Sequence, residues 1–218
     1  MITHNLGLNN SILNQFMAEV RDVNIHGDRM RFRRNIERIG EIIAYEISKT
    51  MKYHTVDIQT PLGVQSVSVP GESIVLASIL RAGLPFHQGF LSYFDAADNA
   101  FISASRKYCE DHSAFTIEPG YLSSPSIAGK TLIIIDPMLA TGSSLDLAYQ
   151  TLLRRGEPAR IHVACVIASR YGIETATRIF PEDKTTIWVG AIDPELNDKA
   201  YIVPGLGDAG DLAYGEKI

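Results

Sequence analysis

The stretch Lys130–Leu145, KTLIIIDPMLATGSSL, decides how this chain is read. Leu132 to Ile135 is a short, apolar, β-branched run suited to a strand buried on both faces of a parallel sheet. Asp136 arrives as the strand runs out. Ala140-Thr141-Gly142-Ser143-Ser144 then makes a small, hydroxyl-rich turn, and Leu145 to Leu153 continues with helix formers. Strand, acid, small-residue loop and helix is a layout that holds a phosphate, because backbone N–H groups and the helix dipole both point at the anion. A bare Thr-Gly-Ser-Ser is also what a polar turn with a serine N-cap looks like. The acid at the C-terminal edge of a strand favours a ligand, since open α/β sheets bind there. No Gly-Lys-Ser/Thr closes the loop, so the expected ligand is not a nucleoside triphosphate on a Walker A motif.

The same unit recurs elsewhere in the chain. Ser73 to Leu80 reads as a buried strand that runs into Arg81-Ala82-Gly83, then a helix to about Tyr93. Arg81 holds the place in its unit that Asp136 holds in the other. An arginine there either grips phosphate oxygens with two N–H groups or sits in a surface salt bridge. Ala100 to Ser105 is a third strand, ending at Arg106-Lys107. Cys109 to Pro125 is a polar connection whose alternating part, Phe115 to Leu122 around Pro119-Gly120, is expected to form a two-stranded flap. Strands at Ile161–Ala168 and Thr185–Ile192, with a short helix at Ser169–Phe180 between them, complete the alternation. The expected fold is α/β, a mainly parallel sheet flanked by helices, in a single domain spanning residues 1–218.

Three segments lie outside that repeat. Arg29 to Ser48 predicts a helix with Asp28 as N-cap, because Phe32, Ile36, Ile39, Ile43 and Ile47 recur at spacings of three and four. Arg29, Arg31, Arg33 and Arg34 crowd its first turns, as a solvated basic face, an anion site or a subunit contact. Val56 to Val69 alternates around Pro61-Leu62-Gly63 and predicts a projecting β-hairpin arm. The tail, Asp193 to Ile218, carries Pro204, Gly205, Gly207, Gly210 and Gly215, which leave little room for regular structure. Its Tyr201, Ile202, Val203, Leu206, Leu212 and Tyr214 argue against a solvated terminus. A glycine-rich loop with apolar anchors suits the presentation of backbone N–H and C=O groups to a small flat ligand.

Composition narrows the classes. The chain has 218 residues, 45% hydrophobic and 21% charged, with a formal net charge of −5. No basic footprint argues for nucleic acid. No apolar run is long enough for a bilayer, and the N-terminus lacks the form of a signal peptide. Cys109 and Cys165 have no metal-ligand spacing, and Cys165 lies in an apolar strand. With nothing to suggest disulfides, a cytoplasmic home is expected.

DPMLATGSS after an apolar strand resembles the phosphoribosyl-diphosphate (PRPP) loop of type I phosphoribosyltransferases. Asp136-Pro137, in place of the paired acids of most members, looks like the uracil branch. ILRAGL resembles the family's second signature, and YIVPGLGDAGD closely matches its uracil-binding hood. The resemblance implies uracil plus PRPP giving UMP plus diphosphate, with Mg²⁺ held largely by PRPP oxygens and water. It places the PRPP loop at 136–144 (Asp136, Pro137, Met138, Leu139, Ala140, Thr141, Gly142, Ser143 and Ser144). The diphosphate falls to Arg81 and Arg106, and the base to Ile202, Gly207 and Ala209 in a hood at about 193–218. Asp208 would face the base, PRPP or its metal, and is the nearest candidate for a general base. Related enzymes dimerise partly through a hairpin arm, here about 56–69, so a homodimer or higher oligomer is implied. Some relatives are activated by GTP. Where many members have a basic residue after GDAGD this chain has Leu212, which is expected to affect the hood's exterior or an effector response.

Two other readings stay open on the residues. Orotate in place of uracil calls for a dedicated cation in the base pocket, and the tail offers only Lys199 and Lys217, outside the loop; a purine calls for a larger pocket. A nucleotide-sensing regulator that binds RNA calls for a basic surface, which the net charge disfavours.

Overall fold

The strand at Thr131–Ile135 (β7) sits at the centre of a mixed sheet, with all five of its residues buried. The computed structural model describes residues 1–108 and 115–217, with the backbone alone for 104–108 and 115–119. β7 is flanked by Ile74–Leu80 (β4) on one side and Arg160–Ser169 (β9) on the other, both parallel to it. Outward from β9 come Thr185–Asp193 (β10) and Ile2–Asn5 (β1), again parallel. Outward from β4 comes Asp98–Tyr108 (β5), parallel, and then Phe115–Ser123 (β6), which is antiparallel to β5. The order is therefore β1-β10-β9-β7-β4-β5-β6, with the two-residue strand Met138–Leu139 (β8) lying beside β9.

Strand alternation separates two cores. Ile133 and Ile135 face one side, with Leu76, Ala164 and Val166. They pack against Ile12–Arg21 (α1), Arg29–Ser48 (α2) and Gly83–Leu91 (α3) through Leu13, Met17, Val20, the α2 stripe Phe32, Ile36, Ile39, Ile43 and Ile47, and Phe86 and Phe90. Leu132 and Ile134 face the other side, with Val75, Val163 and Cys165, and meet Ser143–Leu153 (α4) and Arg170–Ile179 (α5). Helices therefore cover both faces, as the β–α alternation predicts. No helix among the described residues is long and apolar enough to cross a membrane.

Local signals set the helix bounds. Asp28 Oδ1 accepts from the backbone N–H of Met30 at 3.0 Å and of Arg31 at 3.1 Å, so α2 begins where its N-cap predicts. Three of the four arginines of its first turns have partners within the molecule, while Arg29 is exposed. Arg31 pairs with the buried Glu19 through two hydrogen bonds at 2.9 and 2.8 Å, Arg34 pairs with Glu37 at 2.7 Å, and Arg33 Nη1 donates to the Ala213 carbonyl at 2.7 Å. The hairpin forms as Tyr53–Thr60 (β2) against Gly63–Pro70 (β3), in register from Tyr53↔Pro70 to Thr60↔Gly63. It stands apart as its own sheet with Ile58, Leu62, Val64 and Val67 exposed.

Residues 2–5 extend the sheet at the edge of β10. Three expectations need correction. β5 does not stop at Arg106 but runs through it to Tyr108, since β6 pairs alongside (Arg106↔Ile117). Pro119-Gly120 is accordingly no turn between two flap strands. It lies inside β6, where the register shifts between Ser103 and Ala104. Residues 109–114 of the expected flap, with Cys109, lie outside the described residues. The tail is not irregular throughout. Glu195–Leu196 (β11) pairs with Ile202–Val203 (β12), and Ala209–Tyr214 forms a helix (α6).

Candidate active site

The C-terminal ends of β4 and β7, the start of α4 and the tail converge on one cavity of about 880 Å³. Parallel strands all end on this side, so loops from distant parts of the chain meet there.

Asp136 follows β7 and lines the cavity. Its Oδ1 accepts only a long hydrogen bond, from Met138 N at 3.4 Å. Burial pushes its pKa from 3.8 up to about 7, and that hydrogen bond opposes the rise only in part. The chain then turns back onto β9. The Pro137 carbonyl accepts from Val166 N and Ile167 N, both at 3.0 Å, and β8 pairs with Ile167 and Ala168. Pro137 therefore serves as a backbone anchor behind the cavity rather than as part of its lining. Met138, Leu139, Ala140, Thr141, Gly142, Ser143 and Ser144 do line it.

Gly142 has φ +85° and precedes α4 with no side-chain cap on the helix. The helix has no serine N-cap; the polar turn is closed instead by Thr141, whose Oγ1 accepts from Ser143 N at 3.4 Å. Thr141 Oγ1 and Ser143 Oγ lie 3.0 Å apart. First-turn N–H groups as a class have no intrahelical acceptor, and residues 142–145 line the cavity.

Arg81 ends β4 and lines the same cavity. Its Nη2 donates to Asp211 Oδ1 at 3.0 Å and to the Gly215 carbonyl at 2.8 Å, while its Nε is buried without a described partner. The salt bridge expected of a surface arginine is therefore present, but its partner is the tail. Arg106 lies on β5; its side chain is outside the described residues.

The tail supplies the opposite wall. Gly207, Asp208 and Ala209 line the cavity, whereas the side chain of Ile202 is buried in the core beneath it. Asp208 is the N-cap of α6, its Oδ1 accepting from Gly210 N at 2.8 Å and Asp211 N at 3.0 Å. One of its oxygens is thus committed to holding the helix. Leu212 is half-buried against the helix-side core rather than on the hood's exterior. The structure also adds Lys199, Ala200, Tyr201, Gly210 and Lys217 to the lining. A methyl built on Gly210 would lie 3.1 Å from Asp208 Oδ1, 3.8 Å from Lys217 Nζ and 3.9 Å from Arg81 Nε. The tail lysines are therefore at the cavity, so the orotate reading cannot be set aside for want of a cation. Tyr201 was legible as an apolar anchor beside a glycine- and proline-rich run and the lysines as the tail's cations, but no local signal placed the lysines at the cavity.

Among the described residues no group of three or more His, Cys, Asp or Glu side chains is placed to hold a metal ion. Asp136 and Asp208 are the carboxylates that reach the cavity.

A family model described as uracil phosphoribosyltransferase matches residues 7–216. A protein of Porphyromonas gingivalis named uracil phosphoribosyltransferase is 58% identical over 213 residues, 98% of each chain. One of the same name from Sulfolobus acidocaldarius is 38% identical over 216 residues, 95% of this chain and 98% of its own. The fold matches that of the AQ2163 protein from Aquifex aeolicus with a TM-score of 0.84 at 30% identity, over the full length of both chains. The family model and both relatives match nearly the whole chain, and the chain belongs to the uracil phosphoribosyltransferase family.

Proposed function

We propose that this protein transfers the 5-phosphoribosyl group of PRPP to uracil, giving UMP and diphosphate, a pentosyl transfer of pyrimidine salvage. The observation that carries the reading is the convergence of Asp136, residues 138–144, Arg81 and residues 207–209 on one cavity.

In this reading the uncapped start of α4, with Thr141, Ser143 and Ser144, holds the 5-phosphate of PRPP. Asp136 accepts hydrogen bonds from the ribose hydroxyls. Gly207, Asp208 and Ala209 hold uracil, with the backbone of Ile202 setting the loop's entry. The ring nitrogen N1 is thereby aimed at the anomeric carbon. As the bond from that carbon to the diphosphate oxygen breaks, charge grows on the leaving group. Arg81 and Arg106, with Lys217 beside Arg81, supply the positive groups that stabilise it. The N1–C bond forms and N1 gives up its proton, for which Asp208, the carboxylate of the base loop, is the candidate acceptor. Most of the rate comes from positioning and charge stabilisation. Mg²⁺, when bound with PRPP, offsets the charge of the diphosphate, and Asp136 and Asp208 are the carboxylates able to approach it. The exposed apolar residues of the β2–β3 hairpin suit a contact with a second copy of the chain.

The test is chromatographic detection of UMP from uracil, PRPP and Mg²⁺. UMP must appear with the intact protein and vanish on chelation of the metal. Its absence under all conditions would overturn the reading.

A further inference from the structure

Arg21, the last residue of α1, and Asp193, the last of β10, form a two-pronged ion pair. Nη1 donates to Oδ2 and Nη2 to Oδ1, each at 2.8 Å. The pair does not stop there. Asp193 Oδ2 also accepts from the Gly205 N–H at 2.8 Å, and Arg21 Nη1 also donates to the Gly205 carbonyl at 3.1 Å. Both hydrogen-bonding groups of one buried residue are thus held by a single fork. Neither Arg21 nor Asp193 lines the cavity, but Gly207 and Asp208, two and three residues beyond Gly205, do.

We propose that Arg21 and Asp193 are positioning residues for the base, fixing the Gly205 peptide so that Gly207 and Asp208 present one backbone conformation to uracil. The proposal rests on the reading of these residues as the base loop. Gly205 and Gly207 have φ +63° and +94°, a region open to glycine but one among many that glycine samples. A segment with so few conformational restraints needs outside contacts to select a single state. Ile202 and Leu206 anchor it by burial at 4% and 3% exposure. Burial alone sets depth but not the orientation of the peptide groups. The Arg21–Asp193 fork supplies that orientation, because a planar guanidinium and a carboxylate are both directional.

A brace that only stabilised the fold would change every step alike, so the test is a split between substrates. In the double variant Arg21→Gln/Asp193→Asn, a neutral pair of similar size remains. The uracil KM should rise about tenfold, within the range a small misplacement of a reacting group produces. The PRPP KM should stay within about twofold. Arg21→Lys, which keeps the charge but not the fork, should give a smaller rise. Equal rises in both KM values, or none, would overturn the proposal. Should the intact protein form no UMP, the functional reading fails, and the positioning claim is judged from amide hydrogen exchange. Faster exchange confined to residues 205–210 in the double variant supports it; unchanged exchange there overturns it.

Discussion

Arg81 donates from Nη2 to Asp211 Oδ1 at 3.0 Å, joining the end of β4 to the first turn of α6. The guanidinium proposed for the diphosphate is therefore already in contact with a carboxylate, and PRPP must compete for it. Both side chains are about one-third exposed, so the pair is worth about 0.2–1 kcal/mol. Asp211→Asn should tighten PRPP binding by about two- to fivefold, read by titration calorimetry. Arg81→Ala should lower kcat/KM by about 10² or more, the scale of losing a donor to developing negative charge. Unchanged PRPP affinity in the first variant and unchanged turnover in the second would remove Arg81 from the diphosphate site.

Asp136 carries a second prediction. Its pKa is raised from 3.8 to about 7 by burial, so between those values the folded protein holds a proton that the unfolded chain releases. Stability accordingly falls as pH rises across that window. Removing the charge with Asp136→Asn should raise stability at pH 8 by about 1–3 kcal/mol, a figure reduced for the solvent-facing side of the carboxyl. The same variant should bind PRPP more weakly and lose the part of the pH dependence that wild type shows near pH 7. Denaturant melts and PRPP titrations at pH 6 and 8 would check both halves, and a variant less stable at pH 8 would contradict the first.

His162 gives a prediction far from the cavity. It is fully buried and accepts a hydrogen bond from Trp188 Nε1 at its Nδ1, 3.0 Å away. Burial, with Arg160 adding to it, lowers its pKa from 6.5 to about 4. Here the unfolded chain takes up the proton first, so stability is lost as pH falls from 6.5 toward 4. The loss should reach about 3 kcal/mol by pH 4. His162→Gln, which keeps an acceptor for Trp188, should flatten that stretch of the curve in urea melts. An unaltered acid slope would mean that other groups govern it.

Gly207 tests the base loop directly. Its φ of +94° is unfavourable for any residue with a side chain, although a methyl there would meet only Leu212 Cδ1, at 3.7 Å. Gly207→Ala therefore adds strain of about 1–2 kcal/mol without a clash. Steady-state kinetics should show a raised uracil KM with PRPP KM nearly unchanged. A matching rise in both would place Gly207 outside the base site.

The parts of this molecule legible in the sequence are those whose causes are local. β7, Asp136 and the start of α4 follow from a β-branched run, a strand-end acid and small residues in succession. α2 follows from Asp28 and its apolar period. β1 escaped because four residues, ITHN, form a strand only when the open edge of β10 pairs with them. The alternation in Phe115–Ser123 was visible, but not that its partner was the far half of β5. α6 was hidden by Gly210 within it and Gly207 and Gly215 on either side, although Asp208 with Asp211 three residues on resembles a capping pattern. Arg21 and Asp193 stand 172 residues apart, and no spacing rule joins them. Arg81 was legible as a strand-end cation, but not its hold on Asp211 and the Gly215 carbonyl.

The most direct measurement is diphosphate release from PRPP and Mg²⁺ with uracil, cytosine, orotate, adenine, guanine and hypoxanthine offered separately. The account predicts release with uracil and only background with the others. Release with orotate would contradict the base assignment and give Lys199 or Lys217 the role of carboxylate partner. Release with a purine would overturn the reading of residues 202–209 while leaving the PRPP loop in place. No release with any base, together with measurable UMP binding, would contradict the enzymatic account as a whole.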